Sequence, residues 1–281
     1  MTRINTLPQP AAERDSDFAA VRPDTPARPA WDFESLSWLA PKVPLRQVIY
    51  ILSAGQDPIK EQFRLLRTRL EDLRKIRLLK TILVTSSLPA EGKTLVALNL
   101  AAALSQHGRN KVLLLEADLR RPSCCSTLGL SPLPGLAESC ASHAPLPGFI
   151  YRIRGLDVCL LPAGERPAAA IEWLASPRMA RVVTETGSAF DWVLVDSAPL
   201  LPVADSVVLS RLCDGILLVV RRNQALKSAL PEALNRVDPA KLQGVVLNDF
   251  PSRHGCPTYF RSLSEPVPGT DFAAADTREA A

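Results

Sequence analysis

The apolar positions of this chain follow two periods. Short runs are apolar throughout: Thr81 to Val84, Val112 to Leu115, Val158 to Leu161, Trp192 to Val195, Ile216 to Val220 and Val245 to Leu247. A run without polar alternation is the signature of a strand buried on both faces, as in parallel sheets covered by helices. Between the runs, spacing lengthens to three and four residues, and Phe63, Leu66, Leu70 and Leu73 form one helical stripe. Asp57-Pro58 opens that helix with a side-chain cap and a proline at its first position. A second helix is expected from Lys93 through Leu104, ending at His107-Gly108. A third stretch, from Glu172 through Met179 and onward, carries a break at Ser176-Pro177. The fold predicted is α/β, a mostly parallel sheet with helices on both faces.

The ends differ. Residues 1–45 are dense in proline, which blocks helices and ladders, and read as a disordered arm. Within it, Trp31, Phe33, Leu36, Trp38 and Leu39 either dock on a partner or cover the arm's own domain; the sequence leaves both open. Residues 46–250 form the expected domain and 251–281 a flexible tail. The net charge of +4 comes from interspersed signs and does not indicate a nucleic-acid binder. The six cysteines show no C-x-x-C spacing and fit a reducing cytoplasm, and the three histidines form no metal-ligand pattern. No signal peptide and no apolar window of roughly 20 residues is found, so membrane contact is expected only through a partner.

Chemistry concentrates where strands end. After the first strand the chain reads Thr85-Ser86-Ser87-Leu88-Pro89-Ala90-Glu91-Gly92-Lys93-Thr94-Leu95, closing as a phosphate-binding loop does, although Ser87 stands at its first glycine. Main-chain amides at a helix N-terminus favour an anion, Gly92 permits close approach, Lys93 reaches the β- and γ-phosphates, and the Thr94 hydroxyl ligates Mg²⁺. The second strand ends in Glu116-Ala117-Asp118, two acids at the edge where sheet ligands bind; one is suited to general base, the other to a metal-bound water. A later strand ends Val193-Leu194-Val195-Asp196, a Walker B form whose carboxylate supports Mg²⁺ through water.

With these residues in order, the stretch from about Glu61 to Asn248 resembles the bacterial tyrosine kinases of capsular and exopolysaccharide loci, the CpsD/CapB type, relatives of the ParA/MinD ATPases. Thr85 to Thr94 is similar to the family's Walker A, Leu113 to Pro122 to its Walker A′, and Val193 to Pro199 to its Walker B. Leu161 to Gly164 and Gly244 to Asn248 also resemble family segments. The resemblance implies phosphoryl transfer from MgATP to a tyrosine hydroxyl. It implies nucleotide contacts from Ser87 to Leu95 and from Asn248 at the adenine. Thr94, Asp118 and Asp196 would organise Mg²⁺, and Glu116 stands where the family has a proposed proton acceptor. Glu61, Arg64 and Arg67 match a pattern that assembles family members into a ring; read without the resemblance, they are a solvated helix face. A membrane polysaccharide co-polymerase is the implied activator.

Three departures weaken the expected activity. Ala90 replaces a usual glycine, Glu116 replaces an aspartate, and the tyrosine-rich tail is missing, leaving Tyr50, Tyr151 and, in the tail, Tyr259 as the candidate phosphosite. Two other readings therefore stand beside the kinase: an ATP-switched subunit of the same apparatus, and a ParA/MinD-like positioning ATPase. The last lacks support at Leu88, where those ATPases carry a lysine.

Overall fold

A computed structural model describes residues 31–53, 57–142, 144–222 and 229–248. Eight strands form one sheet: β1 (Ser37–Leu39), β2 (Thr81–Ser86), β3 (Val112–Glu116), β4 (Tyr151–Ile153), β5 (Val158–Leu161), β6 (Trp192–Asp196), β7 (Gly215–Arg221) and β8 (Leu242–Asn248). Their order across the sheet is β1-β4-β5-β3-β6-β2-β7-β8. Every pairing is parallel except β4 with β5, so the expected mostly parallel sheet is present with one reversed edge. Eight α-helices accompany it among the described residues: α1 (Pro58–Ile76), α2 (Lys93–Ser105), α3 (Cys124–Thr127), α4 (Leu136–Ala141), α5 (Ala170–Leu174), α6 (Pro177–Ala189), α7 (Asp205–Leu212) and α8 (Ala229–Leu234).

The continuous apolar runs resolve into two faces once each strand is pleated. Ile82, Val84, Val112, Leu114, Trp192 and Leu194 face one side, with Leu66 and Leu70 of α1 and Ala97 and Leu100 of α2. Leu83, Leu113, Leu115, Val193 and Val195 face the other, with Leu174 of α5, Val182 of α6 and Leu209 of α7. The cap expected at Asp57 is in place, accepting from the Ile59 amide, and at the expected break Ser176 accepts from the Met179 amide and separates α5 from α6.

The arm expectation is corrected. Its described part carries β1, which extends the sheet beside β4 in spite of the flanking prolines. Trp31 and Phe33 meet the Phe190 ring edge-on, at 5.7 and 5.2 Å between centroids, and the Arg152 guanidinium stacks on Trp38. Of the two readings of the aromatic patch, the structure shows it covering its own domain. Further along, Asn99 in α2 receives the Tyr50 amide and donates to the Val48 carbonyl, tying this strap to the helix that leaves the phosphate loop. Residues 1–30, the 251–281 tail and Tyr259 lie outside the described residues. No helix among the described residues is long and apolar enough to cross a membrane.

Candidate nucleotide and metal site

Strands β2, β3 and β6 end side by side, with Val84 and Glu116 both in register with Asp196. Because Leu115 and Val195 face the α5–α7 side, Glu116 and Asp196 point to the opposite face, toward the start of α2. The loop 87–92 turns there. Gly92, the residue before the first turn of α2, has φ of +87°, and Ala90 has φ of +63°. The left-handed conformation that makes alanine costly at that position is therefore real. Ala90→Gly is expected to raise stability by about 1 kcal/mol, read as a shift in urea midpoint with unchanged slope.

The loop is braced from within. The Glu91 carboxylate is buried, accepts the Leu88 amide at 2.8 Å and receives the Arg221 amide at the end of β7. Arg221 also donates to the Ala90 carbonyl, and Asn248 donates to the Glu91 carbonyl at 2.8 Å. A side chain at Gly92 would collide with the Asn248 amide, which gives that glycine a packing reason as well as a conformational one. Asn248 thus lies against the phosphate loop. Arg221 was not found by sequence reasoning, since a basic residue closing a strand carries no motif.

Lys93 and Asp118 pair at 2.9 Å, both nearly buried. Thr94 receives the Ser123 hydroxyl at 3.0 Å. Asp196 is fully buried, and its Oδ1 has no hydrogen-bond partner within the protein. Burial pushes its carboxyl up to about 7, against the pull of Lys93 and Thr94. A carboxylate so placed destabilises the fold when ionised. With the folded value above the unfolded one, the native state binds the extra proton, and stability falls as pH rises from about 4 toward 7. Asp196→Asn should flatten that dependence and raise the thermal midpoint of metal-free protein at pH 8 by several degrees, with little change at pH 4. An orphaned buried carboxylate beside a threonine hydroxyl and a lysine fits a hydrated divalent cation. A cavity of about 550 Å³ opens over these groups, lined by Pro89, Gly92, Lys93, Thr94 and Asp118, with Pro199 and Val203 across from them. Arg120, bidentate to buried Asp205, fixes the wall between.

Glu116, at the place of the proposed proton acceptor, is held by main-chain amides. Its Oε1 accepts the Ser123 and Cys124 amides at 2.5 and 2.6 Å, and its Oε2 accepts the Ala163 amide at 3.1 Å. At 1 % exposure it caps α3 and ties it to the end of β5. Three of its roughly four acceptor sites are taken by main-chain donors, and it does not line the cavity over Lys93. The carboxylate that does is Asp118. The α1 pattern is likewise divided: Glu61 and Arg64 pair with each other at 2.5 Å, whereas Arg67 donates to the Ala103 carbonyl and to Gln106, bridging α1 to the end of α2.

No protein-family model matches the chain. The succinoglycan biosynthesis transport protein ExoP of Rhizobium meliloti (strain 1021) is 33 % identical over 204 residues, covering 70 % of this chain and 26 % of that protein. The tyrosine-protein kinase YwqD of Bacillus subtilis (strain 168) is 32 % identical over 190 residues, covering 67 % of this chain and 80 % of YwqD. The solved kinase domain of the Escherichia coli tyrosine kinase ETK superposes with a TM-score of 0.64 at 29 % identity, over 70 % of this chain and 78 % of that one. The chain thus spans about a quarter of ExoP and most of YwqD. A P-loop fold, a phosphate loop closed by Gly92, Lys93 and Thr94, and an alignment covering four-fifths of YwqD place this chain in the bacterial tyrosine-protein kinase family.

Proposed function

We propose that the chain is an ATP-dependent protein-tyrosine kinase that regulates capsular or exopolysaccharide production. The observation that carries the reading is the buried, unpartnered Asp196 oxygen beside Thr94 and Lys93 at the start of α2. Bound MgATP supplies the transferable phosphoryl group and the divalent charge. Thr94 and Asp196 hold the cation, and the amides of residues 87–95 hold phosphate oxygens. Lys93, paired with Asp118 here, would turn to a bound phosphate, and Asp118 would then be available to support the hydrated cation or to accept the proton of the incoming hydroxyl. Asn248, through its grip on the loop, sets the adenine end. Pro199, Pro202 and Val203 give the cavity an apolar wall suited to a tyrosine ring.

The acceptor is Tyr259 or a tyrosine of a partner, and the activator is the cytoplasmic tail of a membrane polysaccharide co-polymerase. Incubation of purified full-length protein with MgATP and such a tail should yield phosphotyrosine by mass spectrometry. Bound ATP with no phosphotyrosine on any protein refutes the kinase reading and leaves the nucleotide switch.

Assembly into a ring is proposed through the exposed Glu61–Arg64 face, with Arg67 kept inside the subunit. Arg64→Ala should shift ATP-loaded protein to monomer on a sizing column without changing its melting temperature. Arg67→Ala should lower the melting temperature. An unchanged elution volume for Arg64→Ala rejects the assembly role.

A further inference from the structure

The floor of the site holds a group that phosphoryl transfer does not use. Cys124 is fully buried, and its Sγ lies 3.9 Å from Asp196 Oδ2. Among the described residues, one ligand atom each from Glu116, Cys124 and Asp196 lies within 4.8 Å of the other two. The second oxygen of Asp196 is buried without a protein partner. One thiol and two carboxylates, all buried, are a mixed soft and hard donor set.

The distances discriminate between ions. Zinc binds sulfur at about 2.3 Å and carboxylate oxygen at about 2.0–2.2 Å, so an S···O separation somewhat below the sum of those lengths accommodates a bridging ion at a wide angle. The Cys124–Asp196 separation of 3.9 Å meets that condition as it stands. Glu116 needs only a small contraction from 4.8 Å at most. Magnesium demands octahedral oxygen and gains nothing from a thiol, whereas a thiolate selects zinc or cadmium.

We propose that Glu116, Cys124 and Asp196 form a site for a thiophilic divalent ion, zinc or its probe cadmium, that takes Asp196 away from magnesium and so inhibits the enzyme. Binding forms metal–sulfur and metal–oxygen bonds and releases the thiol proton to solvent, so affinity rises with pH. The ion shares Asp196 with the proposed magnesium site, and occupancy by one excludes service to the other.

The test uses full-length protein without nucleotide, so that it stands apart from the kinase reading. Titration with cadmium chloride should produce one equivalent of the ultraviolet cadmium–thiolate charge-transfer band, and excess magnesium chloride, competing for Asp196, should raise the cadmium concentration needed without abolishing the band. Cys124→Ser and Asp196→Asn should each weaken that binding at least tenfold, and Cys125→Ser, the sequence neighbour, should leave it unchanged. Circular dichroism melts of the variants confirm that they are folded. A band that survives in folded Cys124→Ser, or is absent from the parent protein, overturns the proposal. In a second measurement, cadmium should raise the Kd for MgATP in the parent protein at least tenfold and have no such effect in Cys124→Ser. Equal effects in both overturn the inhibitory role.

Discussion

Lys93→Met is expected to reduce phosphoryl transfer by roughly 10²–10³-fold, the loss typical when one preorganised charge at a developing anion is removed. The same change removes the cation from Asp118, whose side chain is only 4 % exposed. Leaving a nearly buried carboxylate alone costs stability, here about 2 kcal/mol because the pair opens onto a wet cavity. Loss of activity therefore has two sources; the double variant Lys93→Met/Asp118→Asn isolates the stability part, because it removes both charges of the pair, while the loss of transfer is read per folded molecule in Lys93→Met itself. The double variant should regain most of the melting temperature while transfer stays lost. Isothermal titration with MgATP and a phosphotyrosine assay on the same samples decide the matter; recovery of transfer in the double variant would show that Lys93 serves the fold and not the phosphates.

The sequence made one class of information plain and hid another, for identifiable reasons. Asp196 closes β6, and Gly92, Lys93 and Thr94 open α2 just after the loop that leaves β2, so the apolar runs before them locate these motif residues. The two-sided burial of β2, β3 and β6 was legible for the same reason. By contrast β1 and β4 are three residues each, lie at the sheet margin, and present no apolar run to find. Proline suppressed the expectation of structure around β1, yet an edge strand tolerates nearby proline because its outer row of hydrogen bonds is unused. The four-residue α3 is held from outside by Glu116, and nothing in a segment that short announces a helix.

Side-chain roles were hidden where the partner is main chain. Glu91, Asn248 and Arg221 act on the amides and carbonyls of the phosphate loop, and no pairing of residue types reveals such contacts. The division of Glu61, Arg64 and Arg67 has the same origin, since Arg67 finds the Ala103 carbonyl 36 positions away. Ala90 is instructive in the opposite direction: a place usually held by glycine points to a conformation that alanine disfavours, and the positive φ is there.

Glu116 is where the two roles, base and brace, predict opposite experiments. As a brace, its carboxylate satisfies three main-chain donors, those of Ser123, Cys124 and Ala163. Each buried donor left without an acceptor costs about 1–3 kcal/mol, so Glu116→Ala should destabilise on the order of 4 kcal/mol, read as a lower urea midpoint. Glu116→Gln keeps one acceptor oxygen but turns an amide NH₂ toward a main-chain donor, and should lose about half as much. Glu116→Asp shortens the arm by one methylene and cannot span from α3 to the Ala163 amide, so it should fall between the parent and Glu116→Ala. Were Glu116 the proton acceptor, Glu116→Gln would lose kcat by orders of magnitude at unchanged stability, and Glu116→Asp, which restores a carboxylate, would keep it. The geometry favours the other ordering: rate per folded molecule nearly retained in Glu116→Gln, because the carboxylate that lines the cavity over Lys93 is Asp118. A stable Glu116→Gln protein with no transfer would return the base to Glu116 and require its three amide bonds to open during turnover.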